Sequence, residues 1–189
     1  MNKELDFYIQ KTENFLDKNI CNNTLKELKI LKDWKEHTFY DSASGSEHKL
    51  SGVQELDVSY SVITNTPIIM EKIHLALFNY MKHINFDWYS GWAGYTPIRF
   101  NRYEKNKKMA NHCDHIHSIF PGDPKGVPIL TVLGLLNDNY TGGEFMMFED
   151  TEIKFKQGDL IIFPSNFLYP HRVEPVITGE RYSFISWVF

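Results

Sequence analysis

From residue 97 to the end of the chain at 189, short runs of strand-forming residues follow one another with turn signals between them. The runs read "IRFNRY", "HCDHIHSIF", "ILTVLGLLN", "GEFMMFE", "EIKFK", "DLIIFP", "HRVEPV" and "RYSFISWVF". The breaks read "PGDPKG", "DNYTGG", "KQGD" and "ITGE". Many short strands at close spacing restrict the fold to a sandwich, a barrel or a jelly roll, the architectures that protect sheet edges by closure or stacking.

The first 84 residues follow a different rhythm. "LDFYIQKTENFLDKN" carries apolar residues at 5, 8, 9, 15 and 16, an imperfect helical stripe. "CNNTLKELKILKDW" offers Asn22, Asn23 or Thr24 as an N-cap before good helix formers. "DSASGSEHKLSG" reads as a loop. In "NTPIIMEKIHLALFNYMKHI", Thr66 can cap and Pro67 suits the first turn. Ile69, Met70, Ile73, Leu77, Tyr80 and Met81 form one apolar stripe that would buttress a sheet. The expectation is a single α+β domain over 1–189, with residues 1–84 mainly helical support and residues from about 95 to 189 the β core.

Composition narrows the partners. A net charge of −4 gives no basic field for nucleic acid. Lys105, Lys107 and Lys108 read as a solvated loop. The two cysteines, Cys21 and Cys113, make no disulfide framework. The longest nearly apolar run, "VPILTVLGLL", is half of the ~20 residues that span a bilayer. The N-terminus lacks the basic region and apolar core of a secretory signal. A soluble, cytoplasmic protein with no membrane partner is expected. The aromatics of "FDWYSGWAGYTPIRF" read mainly as core, with one or more free to line a groove.

The chemistry concentrates in "ANHCDHIHSIF". Alternation along a strand puts His112 and Asp114 on one face and Cys113, His115 and His117 on the other. Two rival metal sites follow: an imidazole–carboxylate pair, or a Cys/His zinc site, for which Cys21 is an isolated second thiol. Cys113 otherwise reads as a small buried side chain. The His-x-Asp pair needs one more nitrogen to make a two-histidine, one-carboxylate facial triad, which leaves positions open on Fe(II). His171 is the one histidine C-terminal to the cluster, and Arg181 and Ser183 follow it on a common strand face.

The order "HCD", His171, "RYS" resembles the iron(II)- and 2-oxoglutarate-dependent oxygenases of the prolyl 4-hydroxylase-like branch, over roughly residues 95–189. "RFNRYEKNKKMANHCDH" is similar to the family stretch in which a tyrosine, here Tyr103, precedes the His-x-Asp pair. "LTVLGLLNDNYTGGEFMMF" and "KQGDLIIFPSNFLYPHRV" are similar to two further segments in the same order.

The resemblance implies a double-stranded β-helix (jelly-roll) core. It implies His112, Asp114 and His171 as Fe(II) ligands, and Arg181 and Ser183 on the distal carboxylate of 2-oxoglutarate, with Tyr103 also contacting this cosubstrate. It implies hydroxylation of an unactivated C–H bond with O₂, ascorbate serving as reductant. A prolyl or other residue in a peptide or protein is the implied substrate, with a free amino acid or small metabolite as the alternative. Two other readings are a non-catalytic cupin-like binding module and a zinc hydrolase using His112, Asp114, His115 and His117.

Overall fold

The computed structural model describes residues 3–41, 44, 46–49, 54–89, 91–114 and 126–189. In chain order the elements are α1 (Lys3–Asp6), β1 (Gln10–Thr12), α2 (Lys18–Ile30), β2 (Lys35–Glu36), β3 (Phe39–Asp41), β4 (Ser46–His48), β5 (Asp57–Ser59) and α3 (Thr66–Ile84). Then come β6 (Arg99–Tyr103), β7 (Met109–His112), β8 (Leu130–Leu135), β9 (Thr141–Gly142), β10 (Phe145–Met147) and β11 (Thr151–Glu152). The last four are β12 (Leu160–Pro164), β13 (His171–Val173), β14 (Val176–Thr178) and β15 (Arg181–Val188).

Two antiparallel sheets face each other, the double-stranded β-helix. The larger has the order β1-β12-β8-β15-β6-β5-β2, the smaller β11-β10-β13-β7. Because side chains alternate across a strand, every central strand serves two cores. Phe100, Val132, Ile162, Tyr182 and Phe184 lie on the outer face with Leu28 of α2 and Ile69, Ile73, Leu77 and Tyr80 of α3. Tyr103, Leu133, Ile161, Phe163, Ile185 and Trp187 point inward with Phe145, Met147 and Val173 of the smaller sheet.

The helices differ in detail from their sequence signals. Residues 5–16 form no continuous helix: α1 is a single turn, and Gln10–Thr12 adds an edge strand against Ile162–Leu160. Pairing with a sheet edge overrides a weak helical stripe. Helix α2 begins before the asparagines, capped by Asp17, whose carboxylate accepts the Ile20 N–H at 2.9 Å. Asn65, not Thr66, stands at the N-cap of α3, and Ile69, Ile73, Leu77 and Tyr80 form the buried stripe. No described helix is long and apolar enough to cross a membrane.

Two further expectations change, and the one for the aromatics before residue 97 holds. Lys107 is not simply solvated, since it pairs with Asp57, as Arg102 does. Cys113 is partly exposed rather than buried. Trp88 is 80% exposed, while Tyr89, Trp92 and Tyr95 pack against the helix-side core.

Candidate functional site

Strands β7 and β13 run antiparallel with His112 directly opposite His171. Strand β7 ends at His112 and the chain turns at Asp114. His112 and Asp114 therefore meet through a turn rather than through the pleat of one long strand. The imidazole rings stand 4.3 Å apart at 56°. Asp114 Oδ1 lies 3.3 Å from His112 Nε2 and 3.8 Å from His171 Nε2. One ligand atom from each of the three residues falls within 4.8 Å of the others, the one such group among the described residues.

The hydrogen bonds fix which ring nitrogens face inward. His112 Nδ1 is 2.8 Å from the Ala110 carbonyl and His171 Nδ1 is 3.1 Å from the Tyr169 carbonyl. A carbonyl can only accept, so each Nδ1 carries the proton and each Nε2 presents a lone pair. Burial, then the neighbouring His112, push the His171 pKa down to about 4, so its ring is neutral at neutral pH. Burial works against the charged form of Asp114, but His171, His112 and Thr131 outweigh it and hold the carboxyl well below its usual range. With both rings neutral, as metal ligands must be, two lone pairs and a carboxylate oxygen converge on one space and repel one another unless a cation lies between them. Facial ligands bonded at ~2.1 Å stand ~3 Å apart, close to these separations.

The other oxygen of Asp114 is held from the large sheet. Thr131 Oγ1 donates to Asp114 Oδ2 and lies 2.8 Å from Ser165 Oγ. Such outer contacts orient the ligand and commonly change metal affinity 10–100-fold when removed, by order of magnitude. The lone threonine within "VPILTVLGLL" was the available sequence signal.

Farther along the inner face of β15, Arg181 is fully buried. Its Nη1 donates to Ser183 Oγ at 3.1 Å, and its guanidinium carbon stands 4.9 Å from the Tyr103 ring centroid. Nε and Nη2 are buried without any partner among the described residues. Glu174 instead accepts from Arg172, and Glu180 accepts from the Tyr182 hydroxyl. An unpaired buried guanidinium is costly, and a planar fork of this kind suits a carboxylate. The donor set thus fits both a divalent cation and the distal carboxylate of a keto acid.

Tyr103 packs beside Arg181, its pKa raised by burial with Arg181 opposing. Ser183 also faces Asn101 Nδ2 at 3.5 Å. His115 and His117 lie outside the described residues. Arg99, Asn101, Thr131 and His37, all unremarked in the sequence, face the same interior from β6, β8 and the end of β2.

Residues 98–189 match the sequence profile of the 2OG-Fe(II) oxygenase superfamily. A PKHD-type hydroxylase of Xylella fastidiosa is 38% identical over 102 residues, covering 49% of this chain and 44% of the relative. One from Delftia acidovorans is 39% identical over 98 residues, covering 48% and 42%. The chain thus spans less than half the length of these curated relatives. A Pseudomonas putida prolyl-4-hydroxylase superposes with TM-score 0.65 at 17% identity, over 96% of this chain and 91% of that one. A Trichoplax adhaerens prolyl hydroxylase, solved with a hypoxia inducible factor peptide fragment, gives 0.71 at 16% identity, over 96% and 83%. At such identities the likeness is one of fold. Residues 98–189, just under half of the chain, thus carry the profile of the 2OG-Fe(II) oxygenase superfamily, and the chain shares the fold of these hydroxylases.

Proposed function

We propose that this chain is a single-domain Fe(II)- and 2-oxoglutarate-dependent dioxygenase that hydroxylates an unactivated C–H bond, with a prolyl or other residue of a peptide or protein as substrate. The observation that carries this reading is the pairing of two incomplete sites on one inner wall. His112, Asp114 and His171 converge on a space suited to a cation, and Arg181 holds two buried N–H donors that no carboxylate of the described residues meets. A storage or sensing module would need the first of these and not the second.

When bound, iron with 2-oxoglutarate and dioxygen supplies the oxidising power: one oxygen atom enters the C–H bond and the other enters succinate, with release of CO₂. The chain's residues do the positioning. His112 and His171 hold their Nε2 atoms inward through their Nδ1–H bonds, and Thr131 sets the rotamer of Asp114. Arg181 and Ser183 anchor the distal carboxylate, with Tyr103 beside it. The apolar residues around them, Leu133, Phe145, Ile161 and Phe163, keep water from the reacting atoms.

The test is anaerobic loading with Fe(II), addition of 2-oxoglutarate, ascorbate and air, and assay of succinate with mass spectrometry of candidate peptides. Succinate formation with a gain of one oxygen in a peptide is expected. Tight stoichiometric zinc, no succinate and a hydrolase activity lost in His115→Ala would replace this reading with the zinc one.

A further inference from the structure

The sequence contains four arginines, and the fold divides them into two kinds. Arg102 and Arg172 lie outside the space between the sheets, and each has a carboxylate: Asp57 at 2.8 Å for Arg102, Glu174 at 2.6 Å for Arg172. Arg99 and Arg181 point between the sheets, and neither has a carboxylate within 4.0 Å among the described residues. Arg181 is accounted for by the cosubstrate. Arg99 is not.

Arg99 is only 9% exposed. Its Nε donates to Asn101 Oδ1 at 3.0 Å, and its guanidinium carbon lies 4.8 Å from the Trp187 ring centroid. These contacts orient the plane and use one of its five donors, leaving the terminal N–H groups without a protein acceptor among the described residues. Strand register locates the group. Trp187 pairs with Thr131 across β15 and β8, and Thr131 holds Asp114. Arg99 therefore stands at the level of the candidate metal ligands, whereas Arg181 lies six residues back along β15, toward the other end of the barrel.

His37 adds a second uncommitted polar group. It follows β2, its backbone N–H donates to the Leu56 carbonyl, and its ring packs edge-on against Phe39 at 4.8 Å. Its Nδ1 is buried with no partner among the described residues. Burial above all pushes its pKa down to about 3, so the ring is neutral. The nearby buried acid, Glu55, is turned elsewhere, accepting the Ala110 N–H at 3.3 Å.

Charge leaves the same remainder. A divalent iron and Arg181 would be offset by Asp114 and the two carboxylates of 2-oxoglutarate, and the nearby buried acid, Glu55, makes no ion pair with Arg99. An uncompensated buried cation is destabilising, and removing it from contact with water makes an incoming anion bind more strongly.

We propose that Arg99 is the binding subsite for a carboxylate of the substrate, so that the molecule oxidised is an acid presenting this group close to the reacting C–H bond. The inference rests on the oxygenase reading and sharpens it. The carboxylate can come from a free amino or imino acid, or from an acidic side chain or chain end of a peptide. The chemistry recognised is the same.

The test is calorimetric binding to the Mn(II)-loaded, 2-oxoglutarate-bound protein, which requires no turnover. The probes are N-acetyl amino acids, including N-acetylproline, against their amides, and proline peptides flanked by Asp or Glu against Asn or Gln counterparts. At least one acid is expected to bind about tenfold or more tightly than its neutral partner. In Arg99→Met and Arg99→Gln, either of which suffices if folded by circular dichroism, the acid and its partner should bind equally while 2-oxoglutarate affinity stays unchanged. Preference for the small acids assigns a free amino acid, and preference for the acidic peptides assigns a peptide.

The inference is overturned if no acid is preferred, or if the preference survives both substitutions. It is also overturned if they weaken 2-oxoglutarate as much as the acid, which would make Arg99 part of the cosubstrate site. Succinate formation by the unsubstituted protein is measured in parallel. Its absence would sink the oxygenase reading while leaving the carboxylate preference readable.

Discussion

The two faces of the large sheet are built from the same strands and do different things. On β15, Tyr182, Phe184 and Val188 turn outward beneath the helices, while Arg181, Ser183, Ile185 and Trp187 turn inward. On β6, Phe100 turns outward and Arg99, Asn101 and Tyr103 turn inward. The outer face is satisfied within the chain: its large side chains are buried in apolar contact, each contributing on the order of 1.5–3 kcal/mol. The inner face carries polar groups whose partners are missing, including two nitrogens of Arg181 and Nδ1 of His37. Stability resides on one face, and the other keeps buried polar groups without partners among the described residues.

The largest effect should come from His171→Ala or His112→Ala. Either removes one of the proposed ligands and should abolish Fe(II) retention, measured as metal per chain by elemental analysis, with the circular dichroism spectrum preserved. Next comes Thr131→Val, which keeps the shape of the β8 strand and removes the hydroxyl bound to Asp114. Metal affinity should fall roughly 10–100-fold with little change in folding stability; an unaltered metal titration would show that Asp114 needs no such support.

The outer face should respond in the opposite sense. A Cβ on Gly134 would sit 2.1 Å from the Phe184 ring. Gly134→Ala is therefore expected to cost about 1–3 kcal/mol of stability by overpacking, seen in chemical denaturation, while metal affinity of the folded protein is unchanged. Parallel losses in both measurements would mean that the faces are not separable.

The smallest effect is a pH dependence of the metal-free protein. The folded-state pKa of His171, about 4, lies below the ordinary 6.5. Between these values the unfolded chain binds more protons than the folded one, so stability is full above about pH 6.5 and declines as pH falls toward 4. His37, pushed down to about 3, acts in the same sense. His171→Gln should flatten part of the slope in thermal melts, and metal should steepen it through competition with protons.

The strands from residue 98 onward were legible because alternation and turns repeat there, and "HCD", His171 and "RYS" were legible because the spacing of ligand-type residues is unusual. The turn that brings Asp114 to His112 was not, since a continuous strand predicts the same neighbours. Residues 10–12 are not legible as a strand because an edge strand of three residues leaves almost no pattern of its own, and its pairing with β12 is a property of the fold. Asp17 does not stand out as the cap because the asparagines that follow are equally good caps on local grounds. Arg99 and Thr131 carry no motif. Only register shows which face of β6 or β8 they occupy, and a one-residue slip would have placed both outside.

In the proposed oxygenase, a cation and a keto acid complete the barrel interior and Arg181 meets a carboxylate. The most direct measurement is 2-oxoglutarate affinity and melting temperature for the Mn(II)-loaded protein and its Arg181→Met variant. Removing an unpaired buried guanidinium should leave the ligand-free protein equally or more stable, while 2-oxoglutarate affinity falls at least about tenfold and its stabilisation disappears. Unchanged affinity and unchanged ligand-induced stabilisation in Arg181→Met would contradict the account.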